Sequence, residues 1–513
     1  MVVYVQIKVE FGDIRARTDQ AIVVNLFQGV RRPGGATGAV DKATGWAITR
    51  LVESGDFKGK FKEIAVLPSS GIIPAKRVFV AGLGEKEKFN IDRIREVSGK
   101  VALHARELRL RDFSTIVHGA GVGGLDAFES TEAVAEGSLL ALYQYTHYKT
   151  GEHDKKDPEI MTIVSSDRAR VAKMRKAAET GIITASATNM VRDLVNMPSN
   201  DKPPQKLIEF ASKVARESGV KCRVLDEKQL AKMGMNGILA VGQGSEEPPR
   251  LLTLKYNGGR KASPIVLIGK GITFDTGGIS LKPQEGPLGP IWEMRHDMAG
   301  MATVLAVIGA AARLKLPLNI IALAPLAENM PSGRAQRPGD VIRMYGGKTV
   351  EVLSTDAEGR LLLADALSYS RESKPQAIID VATLTGTAVY ALGRRVTPVM
   401  GNDPKLIRRL KKAGDETGER LWELPLFEEY GEQIKSELAD LKNTGGKGGG
   451  TITAAKFLEQ FVERIPWAHL DIAGTCWIHG GPESIDRSYM PKGPSGVPAR
   501  LLISMLRAWN RPA

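Results

Sequence analysis

One short segment, residues 351–361, constrains the fold and chemistry of this chain more than any other. Asp356, Glu358 and Arg360 lie within five residues, between an apolar run at 350–353 and an apolar stripe of helical spacing at 359–370. This pattern predicts a buried strand followed by a helix. Open α/β sheets bind ligands where strands end and helices begin. The three charged residues therefore mark a candidate site, although a solvated turn leading into an acidic helix start fits this segment alone equally well.

Two upstream segments repeat the pattern of an apolar run that ends in charge. Lys270 follows a predicted strand at residues 265–268, and Asp275 comes five residues later, just before glycines. Asp297 stands directly before an apolar helical run at residues 299–312. Three such charges beside glycine-rich turns are too many to be incidental, and they indicate one shared site.

Carboxylate oxygens suit hard or borderline divalent cations, and bridging carboxylates suit two of them ~3.5–4 Å apart. The cluster therefore predicts a two-metal hydrolase centre. Lys270 is its unusual member, because an ammonium has no lone pair and must lose a proton to ligate. Lowering a lysine pKa from ~10.4 to pH 7 costs roughly 4–5 kcal/mol, which metal coordination must supply. None of the seven histidines forms a His-Glu-x-x-His pattern, which excludes a zincin-type site.

Six motifs, taken in order, resemble the leucyl aminopeptidase family, the hexameric two-metal cytosol type. They lie at residues 269–278, 297–302, 328–333, 338–340, 354–361 and 380–386. The resemblance is close over residues 191–474 and loose over the N-terminal third. It implies an α/β protein, with a small N-terminal α/β domain and a larger C-terminal catalytic domain whose mostly parallel sheet is covered by helices. The implied activity is removal of the N-terminal residue from peptides by attack of a metal-bound water.

The resemblance also implies a metal-binding role for each of five residues. Asp275 and Glu358 are expected to bridge two divalent ions. Lys270 and Asp297 are expected to hold the tighter site, and Asp356 the exchangeable one. Zinc is the expected metal, and manganese, cobalt or magnesium also suits the exchangeable site because oxygen ligands accept them all.

Two basic residues are implied to be catalytic. Lys282 is expected to direct its ammonium at the developing oxyanion. Arg360 is expected to hold a bicarbonate that accepts a proton from the attacking water. A surface lysine before Pro283 and a salt bridge along the helix are the alternative explanations of these two residues.

A substrate-binding pocket is implied by six further positions. These are Met294, Thr383, Leu384, Gly386, Ala473 and Cys476. The Leu384 carbonyl is a candidate acceptor for the substrate amine. An apolar lining favours leucine or methionine as the first residue of the peptide, although core packing explains the same side chains equally well.

Two segments depart from the family pattern. Ser354 stands where the family has asparagine, which can loosen a hydrogen bond around Asp356 without removing a ligand. Residues 283–290 form a longer stretch, richer in proline and glycine, than the family's corresponding segment. Because this stretch joins Lys282 to Met294, we expect it to reshape the pocket rim and the substrate range.

The length of 513 residues predicts two or three domains. Alternating apolar and amphipathic runs divide the chain into an N-terminal α/β domain at 1–165, a connecting helix at 166–200 and a domain at 201–513. The resemblance implies that the first domain is used in assembly or regulation and that the last is catalytic. Within the last, a short apolar run at 237–241 predicts a strand.

Charge and cysteine content bear on partners and location. The net charge of +13 raises the alternative of a non-catalytic or dual-role DNA-binding or architectural protein on an aminopeptidase scaffold. The basic clusters at 93–111, 168–176 and 405–412 resemble solvated helix faces with few aromatics, which disfavours this alternative. A two-metal phosphoesterase usually brings histidines, which the motifs lack. Two cysteines, no signal-peptide layout and no apolar run of ~18 residues predict a cytoplasmic protein without a membrane segment. A homohexamer is expected by resemblance only.

Overall fold

The computed structural model describes residues 5–119, 124–151, 156–259, 261–446 and 448–510. The chain divides into two compact units, Met1–Ser186 with Asp486–Pro491, and Ala187–Ile485 with Lys492–Ala513. The boundaries predicted at 165 and 200 lie on either side of this division and stay a prediction. Among the described residues, no helix has the length and apolar character needed to cross a membrane.

The first unit is built on a six-stranded sheet in the order β1-β6-β5-β2-β4-β3. Its strands pair in parallel except β3, which runs antiparallel to β4. Buried aliphatic side chains of β2 and β4, such as Ile22 and Val80, form its core with Phe57. The elements are β1 (Gln6–Phe11), β2 (Ile22–Phe27), α1 (Gly35–Ala43), α2 (Ala47–Glu53), β3 (Ile64–Pro68), β4 (Arg77–Gly84), α3 (Ile91–Glu107), β5 (Asp112–Thr115), α4 (Ala127–Ala141) and β6 (Ile160–Ser165), followed by α5 (Arg168–Asn196), whose residues from 187 onward belong to the second unit.

The second unit carries every predicted site residue. Its elements are α6 (Pro204–Ser218), β7 (Lys221–Leu225), α7 (Glu227–Met233), α8 (Asn236–Gly242), β8 (Arg250–Asn257), β9 (Ile265–Gly269), β10 (Gly271–Asp275), β11 (Glu285–Gly286), β12 (Gly289–Pro290), α9 (Ala299–Arg313), β13 (Asn319–Asn329), β14 (Val341–Arg343), β15 (Thr349–Glu351), α10 (Gly359–Ser370), β16 (Ala377–Ala382), α11 (Thr387–Leu392), β17 (Thr397–Gly401), α12 (Pro404–Thr417), β18 (Leu421–Glu423), β19 (Leu441–Lys442), α13 (Gly450–Glu459), β20 (Trp467–Asp471), β21 (Trp477–Ile478), β22 (Gly493–Pro494) and α14 (Ala499–Arg507).

The main sheet of this unit has the order β18-β17-β20-β16-β9-β13-β8-β7, and β10 also pairs with β13. Its centre is parallel, because β20, β16, β9 and β13 run in one direction. Every residue of β9 and β16 is buried, as expected of parallel strands covered on both faces. Helices α9 and α10 pack on β9 and β13. The predicted α/β class, with a small N-terminal and a larger mostly parallel C-terminal domain, is confirmed.

The strand predicted at residues 237–241 is wrong, because this run belongs to helix α8. A short apolar run fits a buried helix as well as a strand. A contact with a residue remote in sequence favours the helix here, because the backbone N–H of Ile238 donates to Asp365 Oδ2 at 3.0 Å. The buried Asp365 carboxylate thereby takes up an N–H group in the first turn of α8.

Candidate active site

Lys270 lies at the break between β9 and β10, at the carboxyl end of an apolar strand. Its backbone N–H donates to the Val381 carbonyl at 3.1 Å, and its carbonyl accepts from the Met301 N–H at 2.8 Å. The neighbouring residue must be glycine, because a methyl group on Gly269 would lie 2.3 Å from the Gly300 carbonyl oxygen. This close approach of α9 to the strand fixes the backbone from which the lysine side chain projects.

Lys270 is 2 % exposed, and its ammonium has three oxygen partners. Nζ lies 2.8 Å from Asp297 Oδ1, 2.8 Å from Glu358 Oε1 and 3.0 Å from the Thr383 carbonyl oxygen. Burial alone would lower the pKa of Lys270, but the surrounding carboxylates raise it above its ordinary value. The lysine is therefore charged in this arrangement, and it can act as a metal ligand only after losing a proton.

A second lysine pairs with the other carboxylates of the cluster. Lys282 Nζ lies 2.9 Å from Asp275 Oδ2 and also contacts Asp356 Oδ1. The Asp275 carboxylate is oriented from the opposite side, since its Oδ1 accepts from the Gly277 N–H at 2.9 Å and from Asn329 Nδ2 at 2.8 Å. Burial opposes the charge of Lys282, but Asp275 and Asp356 hold its pKa well above the ordinary value.

Thr355 joins the two segments that carry these carboxylates. Its hydroxyl donates to the Gly277 carbonyl at 2.6 Å and accepts from the Ser280 N–H at 2.8 Å. Asn329 donates to the Thr355 carbonyl at 3.1 Å as well as to Asp275. Because Thr355 directly precedes Asp356, these bonds hold the 276–282 loop and the start of α10 in register.

Carboxylate oxygens of Asp275, Asp356 and Glu358 lie within 4.8 Å of one another, a spacing that suits a metal ion. Burial and the neighbouring carboxylates raise the pKa of Asp356 to about 7, although Lys282 opposes this shift. Burial also raises the pKa of Asp297 well above its ordinary value. Within the described part of the chain, the buried oxygens Asp297 Oδ2 and Glu358 Oε2 have no hydrogen-bond partner. Unsatisfied buried carboxylate oxygens fit a site for divalent cations.

Arg360 lies in the first turn of α10 and is buried. Its Nη1 donates to the Asn443 carbonyl at 2.8 Å, whereas its buried Nε has no partner among the residues described. Burial lowers the pKa of Arg360 to about 10. The Asn443 side chain also fixes the backbone of Ser354, donating to its carbonyl at 2.6 Å and accepting from its N–H at 3.3 Å. The turn before Asp356 is thus anchored through the Ser354 backbone.

The loops after β16 and β20 contain five of the six predicted pocket positions, and four of these are linked by bonds to the cluster or to one another. The Thr383 hydroxyl donates to Asp297 Oδ1 at 2.5 Å. Asp471 Oδ1 accepts from the Leu384 N–H at 3.2 Å and from the Ala473 N–H at 3.1 Å. The buried Cys476 Sγ lies 3.8 Å from the Ala473 carbonyl oxygen, and burial raises the pKa of this thiol.

The other two pocket positions lie beside the same cluster. The buried Met294 precedes Asp297, whose N–H donates to the Met294 carbonyl at 3.2 Å. Gly386 lies under residues 287 and 288, since a methyl group placed on it would be 2.8 Å from Pro287 Cγ. The second unit therefore brings all of the sequence-predicted site residues to one edge of its sheet.

Three polar residues that support this site were not predicted from the sequence as site residues. Asn329 orients Asp275, Asn443 holds the turn before Asp356, and Asp471 organises the loop after β16. Asn329 and Asp471 end strands β13 and β20, so the rule that strand ends carry function could have found them. Asn443 follows a two-residue strand and has no comparable signal.

The fold and this cluster of lysines and carboxylates are those expected of a metal-dependent hydrolase on an α/β scaffold. Residues 189–503 match the catalytic domain of the cytosol aminopeptidase family, and residues 23–152 match its N-terminal domain. The chain belongs to the cytosol aminopeptidase family. It is accordingly a metal-dependent aminopeptidase.

Individual relatives are similar in sequence to nearly the whole chain. A probable cytosol aminopeptidase of Geobacter sulfurreducens is 42 % identical over 98 % of this chain and 100 % of its own length. The cytosol aminopeptidase of Pseudomonas aeruginosa is 42 % identical, covering 93 % of this chain and 94 % of the relative. Among solved structures, the bottromycin maturation enzyme BotP superimposes with a TM-score of 0.83 at 34 % identity, over 96 % of this chain and 99 % of BotP. BotP has also been solved in complex with Mn, at 33 % identity and the same TM-score of 0.83.

Proposed function

We propose that the cluster holds two divalent cations and removes N-terminal residues from peptides. The observation that carries this proposal is the convergence of Asp275, Asp356 and Glu358 oxygens within 4.8 Å, beside buried oxygens of Asp297 and Glu358 that no described group satisfies. In this proposal Asp275 and Glu358 bridge the ions, Lys270 and Asp297 complete one site, and Asp356 completes the other. Ions at these positions supply Lewis acidity and a nucleophile that is usable near neutral pH.

Zinc is the proposed metal, with manganese as an alternative in the exchangeable site. Oxygen ligands from three carboxylates accept both metals. The structure of BotP in complex with Mn supports manganese as a candidate in this family. Binding requires Lys270 to lose its proton, so the affinity of its site for metal should increase with pH.

Lys282 and Arg360 are the proposed catalytic residues. The Lys282 ammonium lies 2.9 Å from Asp275, and in this proposal it would stabilise the negative charge that develops on the scissile carbonyl oxygen. Arg360 offers a buried guanidinium whose Nε is free among the described residues, which suits a small anion such as bicarbonate. An anion held by Arg360 would supply an acceptor for a proton of the attacking water.

The proposed side-chain pocket consists of the six positions predicted from the sequence. Met294, Ala473 and Cys476 are buried and apolar, and burial keeps the thiol neutral because it raises its pKa. Such a lining favours leucine-like residues at the peptide N-terminus. The Leu384 carbonyl remains the proposed acceptor for the substrate amine.

We further propose a homohexamer in the cytoplasm, on the strength of the family resemblance and of relatives that are named cytosol aminopeptidases. The same relatives favour catalysis over the alternative of a DNA-binding or architectural scaffold, because their names describe peptidases.

Release of p-nitroaniline from leucine p-nitroanilide tests the proposal. Metal-stripped protein should be inactive and should regain activity with zinc or manganese. Glu358→Gln should stay inactive under every metal, because it removes the charge of a bridging ligand while keeping its shape. Glu351→Gln is the matched control, since Glu351 lies in the same segment but contacts Ser436 instead of the cluster.

Two results would contradict this assignment of the site. One is full activity of Glu358→Gln with an unchanged metal requirement. The other is a wild-type protein that stays silent with every metal on several aminoacyl anilides and short peptides. Circular dichroism and the melting temperature of each variant show whether a loss of activity reflects a loss of fold.

A further inference from the structure

Residues 284–291 form a small hairpin between the Lys282 loop and Met294. Strands β11 and β12 pair antiparallel, with Glu285 opposite Pro290 and Gly286 opposite Gly289. The base is closed by the Ile291 N–H, which donates to the Gln284 carbonyl at 2.9 Å. Pro287 and Leu288 are left at the turn. We call residues 284–291 the rim hairpin.

The turn of the rim hairpin lies directly on Gly386, a member of the proposed pocket. A methyl group built on Gly386 would lie 2.8 Å from Pro287 Cγ and 3.9 Å from Leu288 Cγ. Carbon atoms in van der Waals contact are about 3.5–4.0 Å apart, so the proline ring already fills the space in front of this glycine. The two turn residues thus form an apolar wall where the pocket would otherwise extend.

Arg394 fastens this turn to the body of the second unit. Its Nη2 donates to the Pro287 carbonyl at 3.1 Å, and its Nη1 lies 2.8 Å from His479 Nε2. A guanidinium has only donors, so Nε2 of His479 must accept and its ring proton must sit on Nδ1. Partial burial and the charge of Arg394 lower the pKa of His479, which keeps the ring neutral as this bond requires.

Glu293 packs against the second strand of the hairpin. It is 4 % exposed, and its Oε1 lies 3.7 Å from the Nδ1 of His479. Its buried Oε2 has no hydrogen-bond partner within the described ranges. A methyl group on Gly289 would lie 2.4 Å from this Oε2, so the second strand of the hairpin packs against the carboxylate. Glu293, His479 and Arg394 together hold the hairpin at two points, Gly289 and Pro287.

We propose that the rim hairpin is a specificity-determining wall of the side-chain pocket and that Arg394 holds it in position. This wall admits peptides whose first residue is compact and apolar, and it rejects those whose first residue is aromatic or long and basic. The inference rests on the proposed function of the six pocket positions. The substrates of that site are then peptides that begin with alanine, valine, leucine or methionine. Arg394 acts as a positioning residue, because it touches the hairpin rather than the reacting atoms.

The test compares kcat/KM for the p-nitroanilides of leucine, phenylalanine and arginine. Arg394→Ala releases the turn, and Pro287→Gly with Leu288→Gly removes the wall while leaving the hairpin length unchanged. In both variants the ratio of kcat/KM for the phenylalanine anilide to that for the leucine anilide should increase about tenfold or more. The increase should come mainly from a lower KM for the phenylalanine anilide. Glycines are tolerated at the turn because Pro287 is exposed and Leu288 is partly exposed.

Arg395→Ala is the matched control, because the neighbouring arginine donates to the Pro482 carbonyl and, among the described residues, makes no hydrogen bond to the hairpin. Its substrate ratios should equal those of the wild type. If the substrate ratios of both hairpin variants stay within about twofold of the wild type, the proposed role of the wall is wrong. The aminopeptidase assignment is then unaffected. A wild-type protein that is inactive on all three anilides with every metal would overturn the proposed site and the wall together.

Discussion

Replacement of Asn329 by alanine should weaken metal binding without removing a proposed ligand. Asn329 Nδ2 donates to Asp275 Oδ1 at 2.8 Å and to the Thr355 carbonyl at 3.1 Å, and the side chain is buried. A hydrogen bond to a charged group contributes about 1.5–3 kcal/mol. Because about 1.4 kcal/mol is a factor of ten, loss of the bond to Asp275 should lower metal affinity roughly 10- to 150-fold. Groups that orient metal ligands typically contribute about 10- to 100-fold, which agrees with this range.

Isothermal titration of metal-stripped protein with zinc measures this effect independently of catalysis. Asn402→Ala is the control, because Asn402 also makes two hydrogen bonds, to the Ile465 carbonyl and from the N–H of Trp467, the first residue of β20, whereas Asp471 of the site is the last. Its zinc affinity should match that of the wild type. If Asn329→Ala binds zinc within about threefold of the wild type, the Asn329 side chain does not preorganise Asp275 for metal, and the reasoning fails.

Two further predictions concern buried charge. Arg500→Met should destabilise the second unit by about 3–5 kcal/mol, because it removes the opposite charge that lies 3.0 Å from the Glu419 carboxylate, a side chain that is 0 % exposed and keeps its bond from the Leu501 N–H. A calorimetric loss below about 1 kcal/mol would contradict this. In the first unit, partial burial would raise the pKa of Asp19, but Arg17 and the Ser114 hydroxyl lower it below its ordinary value of 3.8. A carboxyl group whose pKa is lowered by folding stabilises the fold at pH values above its unfolded-state pKa. The melting temperature of Asp19→Asn should therefore be lower than that of the wild type at pH 5–8, and the difference should shrink below about pH 4. A difference that does not depend on pH would count against this pairing.

The sequence predicted the edge at which the site lies because strand ends and helix starts leave a local pattern. Lys270 follows strand β9 of the main sheet, so the rule for open sheets applies to it. The buried strand predicted at residues 350–353 is wrong in its bounds and its sheet, because β15 covers Thr349–Glu351 and pairs with β14 and β19 in a separate small sheet, and Leu353 is exposed. Asp356 and Glu358 therefore reach the site from the turn after this small sheet and not from a strand of the main one. The family resemblance supplied their order and their separate roles. Helix α10 was predicted with its observed bounds at residues 359–370, because its apolar stripe is regular and long.

Contacts between segments remote in sequence could not be predicted in the same way. Residues 237–241 form a helix because Asp365, more than a hundred residues later, takes up an N–H of its first turn. Asn443 holds the turn before Asp356 from a loop that has no periodic pattern. Residues 486–491 group with the first unit although they come near the end of the chain. Each of these features depends on tertiary pairing that local propensity does not record.

The bonds of Asp471 place a limit on when the site can form during synthesis of the chain. This residue ends β20, which pairs in parallel with β16, and its carboxylate holds the backbone of Leu384 and the hydroxyl of Thr385 at 2.6 Å. The lysine and carboxylates upstream are all made before it. Residue 471 must therefore be synthesised and leave the ribosome before the loop after β16, which lies beside Lys270, can take its final conformation. A growing chain that already carries every proposed metal ligand is still not a finished peptidase.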